Sequence, residues 1–154
     1  MANDSDNLER SLRFLAAATR DHAHRPYSGL GVGAAVEVLL ADGTRAVFGG
    51  CNVENASFGL TMCAERVAIG SAVAAGAKGV LRVVVSTAGE RPITPCGACR
   101  QVIAEFAERD LEVLCVTDAG VERRFTLAEL LPHSMGASDL PERDRGSGSA
   151  DSDA

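Results

Sequence analysis

A chain of 154 residues and 16.0 kDa, 46% of it hydrophobic, has the material for one domain with a real core and is too apolar to be a disordered protein. Its formal net charge of -6 and pI near 5.0, with no basic run, exclude a groove for a long polynucleotide and favour a small neutral substrate. No apolar run reaches transmembrane length, the N-terminus (MANDSDNLER) is acidic and polar unlike a signal peptide, and five cysteines, an odd number with one C-x-x-C, suit metal binding in the cytoplasm better than a disulfide framework.

Leu8, Leu12, Leu15 and Ala16 recur at helical spacing, so residues 7 to about 22 are expected to form an amphipathic helix capped by Ser5 or Asp6. His22 and His24 near its end suit the helix dipole and need no other role. Pro26-Tyr27-Ser28-Gly29 stops the helix in a loop. Residues 32–40 (VGAAVEVLL) read as a strand, Asp42-Gly43 as its turn, and residues 45–53 (RAVFGGCNV) as the returning antiparallel strand. Gly49 and Gly50 mark either a bulge or a place where something approaches the backbone closely. An Ala-rich helix from about residue 62 to 75 follows, ended by Gly76, and then a central strand at 81–86 (LRVVVS).

A second helix is expected over about 95–108, with Thr94 as N-cap and Pro95 at its first position. Residues 112–117 (EVLCVT) form a strand, and the short Asp118-Ala119-Gly120 connection makes 122–125 its antiparallel partner. A turn or two of helix at 126–131 completes an α/β domain over residues 1–141, and the tail 142–154, with nothing to bury, is expected to be disordered. The order of elements describes a three-layer α/β/α sandwich around a five-stranded mixed sheet. Both cysteine-bearing helices follow a strand and loop, so their N-termini can converge at one sheet edge.

Cys96 and Cys99, three apart at a helix start, can bite one ion, and Cys63 opens the other helix in the same way. Helix N-termini favour thiolates. A lone C-x-x-C could be redox-active, but the matching placement of Cys63 points to zinc, one ion per chain. Cys51 and Cys115 alternate with apolar residues in strands and read as small core hydrophobes, Cys51 lying nearer the active loop. That leaves three thiolates and one open position, the signature of a catalytic site. Glu65, two residues after Cys63, can move protons of a zinc-bound water; its alternative role is to complement the helix dipole. Arg66 can offset the charge of the thiolates, or be a solvated surface residue.

The stretches CNVENASFG (51–59), MCAER (62–66) and PCGACRQV (95–102), with PYSGLGVGAA (26–35) and LLPHSMG (130–136), resemble the small homotetrameric zinc-dependent cytidine deaminases over roughly residues 8–140. That resemblance implies hydrolytic deamination of cytidine and 2′-deoxycytidine, with Cys63, Cys96 and Cys99 holding zinc, which activates water for attack on C4, and Glu65 shuttling protons. It assigns Asn52 and Glu54 to the ribose, a reading their expected exposure beyond the Gly-Gly strand end supports. It assigns a backbone contact of Ala64 to the pyrimidine, and positions around the thiolates to Arg66 and Gln101. Leu30 stands where the family usually places a phenylalanine against the base. Met135 replaces another usual aromatic, in the segment that reaches a neighbouring subunit's site. Both departures keep burial but lose ring stacking, and could admit a modified nucleoside or an antibiotic of the blasticidin S type. A zinc-stabilised binding module is the reading from a different class; it would need four protein ligands and no glutamate.

Overall fold

The computed structural model describes residues 4–140, so the expected tail at 142–154 lies outside the described residues. Five strands form one sheet in the order β2-β1-β3-β4-β5: β1 (Val32–Leu40), β2 (Arg45–Cys51), β3 (Ala77–Thr87), β4 (Glu112–Thr117) and β5 (Glu122–Thr126). Only β3 and β4 pair in parallel, joined by the crossover helix α3 (Gly97–Phe106); the remaining pairs are antiparallel. Helix α1 (Asp4–Arg20) covers one face of the sheet, burying Leu12 and Ala16 on Ala35, Val84 and Leu114. The other face carries α2 (Ala64–Ala74), α3 and the short α4 (Leu127–Leu130) over Ala34, Val36, Val83, Val85 and Val113. Strand alternation explains the split: odd and even positions of β1 and β3 feed different layers. The expected mixed sheet with helices on both faces is therefore present.

Three elements depart from expectation. Helix α1 spans Asp4–Arg20, so Ser5 and Asp6 lie inside its first turn and do not cap it. Strand β3 begins at Ala77, directly after Gly76 takes a φ of +95°, and not at residue 81. Its start pairs Ala77 and Gly79 with Leu40 and Leu39 and skips Lys78, and a second register shift beside Glu37 turns Leu81 outward, which hides the strand from a pattern search. In α3 the N-cap is Cys96, not Thr94, and Gly97 is the first helical residue. Arg100 reaches back to bond Pro95 O at 2.7 Å and Thr94 Oγ1 at 3.0 Å, fixing the segment before the helix in extended form.

The Gly49-Gly50 pair marks close approach and no bulge, since the β1–β2 register runs unbroken through it. Gly50 lets α2 settle onto β2: a Cβ there would lie 2.4 Å from Ala68 N and 2.5 Å from Ala64 O, both backbone atoms that cannot swing aside. Gly50→Ala is therefore expected to cost about 3 kcal/mol or more, beyond ordinary overpacking because a whole helix must move. Denaturant unfolding checks this, and zinc retention should fall with it because the displaced helix carries Cys63.

Candidate metal centre

Cysteines 63 and 96 occupy the same position on two helices. Each is the N-cap, with extended backbone (φ -74°, ψ 154° and φ -67°, ψ 166°), and neither side chain makes a capping hydrogen bond. Ser, Thr, Asp or Asn would ordinarily stand there to satisfy the free N–H groups of the first turn. Cysteine gives that up, so another demand selects it. Cys99 follows in the first turn of α3 and is fully buried. Packing of α2 against α3 brings the three sulfurs within 4.8 Å of one another, with Cys63 and Cys96 Sγ 3.8 Å apart. A tetrahedral zinc with bonds of about 2.3 Å needs sulfurs about 3.8 Å apart, so the cluster fits the ion with little adjustment. Among the described residues no fourth His, Cys, Asp or Glu joins the group.

The electrostatics suit a metal. Hydrogen bonding from the Cys99 thiol, with help from Arg66, holds the Cys63 thiol down at about 5, whereas the Cys99 thiol is pushed up because its proton bonds the Cys63 sulfur. Three converging thiols beside the Arg66 guanidinium are a donor set that suits a dication. Arg66 Nη2 lies 3.4 Å from Cys63 Sγ and 2.9 Å from Thr61 O, so it is no free surface arginine. Its Nε is buried without a hydrogen-bond partner. Cys115 is fully buried, with its thiol pushed up to about 12 chiefly by burial, as befits an inert core residue. Half-buried Cys51 ends β2 and does not belong to the thiol cluster.

Glu65 lies in the first turn of α2, 4% exposed, and burial is the largest cause raising its carboxyl above the usual range. A dipole-complementing glutamate would sit in solvent; this one is a buried, protonatable group beside the sulfurs. Ala64, also buried, presents the first N–H of the helix, which has no partner inside it.

The remaining expected residues divide. Glu54 is half-buried and accepts from Tyr27 N at 2.9 Å, Ser28 N at 3.2 Å and the Ser28 hydroxyl, which together lower its pKa, Ser28 Oγ most. Asn52 is buried, against the expected exposure, because its amide is built into the chain's frame: Oδ1 accepts from Val32 N and Nδ2 donates to Leu30 O, both at 2.8 Å. Leu30 and Met135 are exposed. Gln101 donates to Met135 O at 2.8 Å, so its bond anchors the segment of Met135 and not a thiolate. Sequence reasoning missed Ser28, whose hydroxyl bonds Glu54 and Leu30 N at once; a small polar residue between Pro26-Tyr27 and Gly29 was the available signal.

Comparison with known proteins agrees with this geometry. Residues 7–115 match the family model of the cytidine and deoxycytidylate deaminase zinc-binding region. The chain is 43% identical over 125 residues to a cytidine deaminase of Halalkalibacterium halodurans, spanning 81% of this chain and 92% of that one. Among solved structures, a cytidine deaminase from Burkholderia pseudomallei superposes with a TM-score of 0.74 at 44% identity, covering 82% of this chain and 98% of that chain. A glutamate-to-glutamine variant of the Mycobacterium tuberculosis cytidine deaminase gives 0.64 at 32% identity over 83% of this chain and 98% of that chain. The fold, the three-thiol cluster and these matches together make the chain a member of the zinc-dependent cytidine and deoxycytidylate deaminase family.

Proposed function

We propose that the protein hydrolytically deaminates free cytidine and 2′-deoxycytidine to uridine and 2′-deoxyuridine, releasing ammonia. One observation carries this: three thiols set for zinc, with no fourth ligand among the described residues, beside a buried carboxyl whose pKa is raised. When bound, zinc is a Lewis acid that brings the pKa of a water to about 7 and orients it. Everything else falls to the chain's own groups. Glu65 accepts one proton of the attacking water and delivers it to N3 of the cytosine; it then takes the second proton from the oxygen added at C4 and passes it to N4 as the C4–N4 bond breaks, which leaves the C4 carbonyl and ammonia. Its raised pKa suits it to hold and release a proton in turn. The Ala64 N–H can donate to the base carbonyl. Arg66, against Cys63 Sγ, offsets the net negative charge of three thiolates on a dication.

Sugar recognition is left to Asn52 and Glu54. Asn52 Nδ2 has one N–H still without a partner, and Glu54 Oε1 accepts one bond where a carboxylate oxygen can take two. One donor and one acceptor complement one hydroxyl, so a sugar hydroxyl common to ribose and 2′-deoxyribose would satisfy them. Leu30, exposed in the loop, would stand against the base. A modified nucleoside or a blasticidin S-type antibiotic is the second reading, favoured by the aliphatic Leu30 and Met135 in place of aromatic platforms.

A homotetramer with shared sites is part of the proposal. It is supported by exposed Tyr27, Phe58, Leu60, Met62 and Met135, and by Val73 on the outer face of the uncharged stretch of α2. Assembly there would carry Met135 to a neighbouring site, with Gln101 holding its segment. Among the described residues no helix is long and apolar enough to cross a membrane, and three working thiols suit the reducing cytoplasm.

Ammonia release from cytidine, 2′-deoxycytidine, free cytosine and blasticidin S tests the reading. The two nucleosides should react with kcat/KM values within about tenfold, and cytosine should lag far behind because it lacks the binding energy of the sugar contact. Equal rates for cytosine and cytidine would remove the sugar assignment, and preference for blasticidin S would select the second reading.

A further inference from the structure

The loop that carries Leu30 is exposed from Tyr27 to Leu30, yet its backbone is tied down at almost every polar group. Tyr27 N and Ser28 N both donate to Glu54 Oε2, and Ser28 Oγ donates to Glu54 Oε1. The same Ser28 oxygen accepts from Leu30 N at 3.0 Å. A hydroxyl has one proton to give, so donating to Glu54 fixes its rotation and turns a lone pair toward Leu30. From the other side Asn52 takes the carbonyl of Leu30 and the N–H of Val32. The Tyr27 ring meets Phe58 edge to face at 5.6 Å, bracing the loop externally.

We infer that Ser28 is a positioning residue for substrate binding: its hydroxyl couples the Glu54 carboxylate to the backbone of Leu30, so that the sugar contact and the base wall are set as one unit. This rests on the reading that Glu54 holds the sugar. Three donors saturate Oε2 and half of Oε1, which leaves the remaining lone pair of Oε1 with one direction to face. Removing the Ser28 hydroxyl frees that oxygen and at the same time releases Leu30 N, in a loop with little buried surface to hold it. Glu65 and the three cysteines, in or capping the first turns of α2 and α3, make no hydrogen bond to this loop, so binding should suffer and chemistry should not.

The test is a double-mutant cycle in the zinc-loaded enzyme, with Ser28→Ala, Glu54→Ala and the pair assayed on cytidine. Ser28→Ala should raise KM about tenfold, the worth of one hydrogen bond to a charged group, with kcat within about twofold. Zinc content and melting midpoint should stay unchanged, and Ser28→Thr should restore KM. Added to Glu54→Ala, the serine substitution should change KM by less than about twofold. An unchanged KM in Ser28→Ala, a drop in kcat alone, a lowered midpoint with normal KM, or an effect that multiplies fully with Glu54→Ala would each overturn the coupling. A normal KM in Glu54→Ala would instead overturn the sugar assignment beneath it, so the two failures are told apart.

Discussion

Glu65→Gln is expected to keep zinc, fold and nucleoside binding while kcat falls by at least about 10²-fold, the lower bound for losing a positioned proton-transfer group. Glutamine has nearly the same volume and can keep a hydrogen bond in the buried first turn of α2, so packing gives little reason for loss. What it cannot do is take a proton and return it. Stopped assays on zinc-replete protein, with binding of a nucleoside measured separately, check this. Near-normal turnover would reduce Glu65 to a helix-terminus residue and would leave its burial unexplained.

Cys96→Ala should be inactive, hold less than one zinc per chain and melt well below the native protein. Cys96 is exposed and caps nothing by its side chain, so apart from the metal its loss would cost about 0.5 kcal/mol or less. A large drop in midpoint therefore reads out metal-linked folding energy alone. Treating the native protein with a chelator should reproduce the lowered midpoint, and the chelator should scarcely move the variant. A variant that melts like the native protein would mean that the thiol cluster contributes no zinc-linked stability.

A five-stranded mixed sheet with helices on both faces was largely legible because β1, β4 and the leucine face of α1 carry clean periodicities. Patterning did not reveal the start of β3, since the exposed Lys78 is skipped by a register shift where β3 meets the end of β1. The thiols and Glu65 were legible because few other demands place cysteine at two helix starts. The N-cap role of Cys96 was hidden: Thr94-Pro95 is a strong local start signal, overridden by the fold-back of Arg100. Asn52 was misjudged as exposed because its hydrogen bonds run to residues some twenty positions earlier, which spacing alone does not show. Ser28 was passed over for the same reason, its partner Glu54 lying across the loop.

Zinc-edge X-ray absorption on the purified holoprotein tests most directly whether this is an open, catalytic centre. Three sulfurs at about 2.3 Å and one lighter scatterer at about 2.0–2.2 Å are expected, the latter being a solvent oxygen. Glu65→Gln should leave that spectrum unchanged, because the carboxyl serves the water and not the metal. Four sulfurs, with Cys51 or Cys115 recruited to the ion, would make the site a closed structural one and contradict the account.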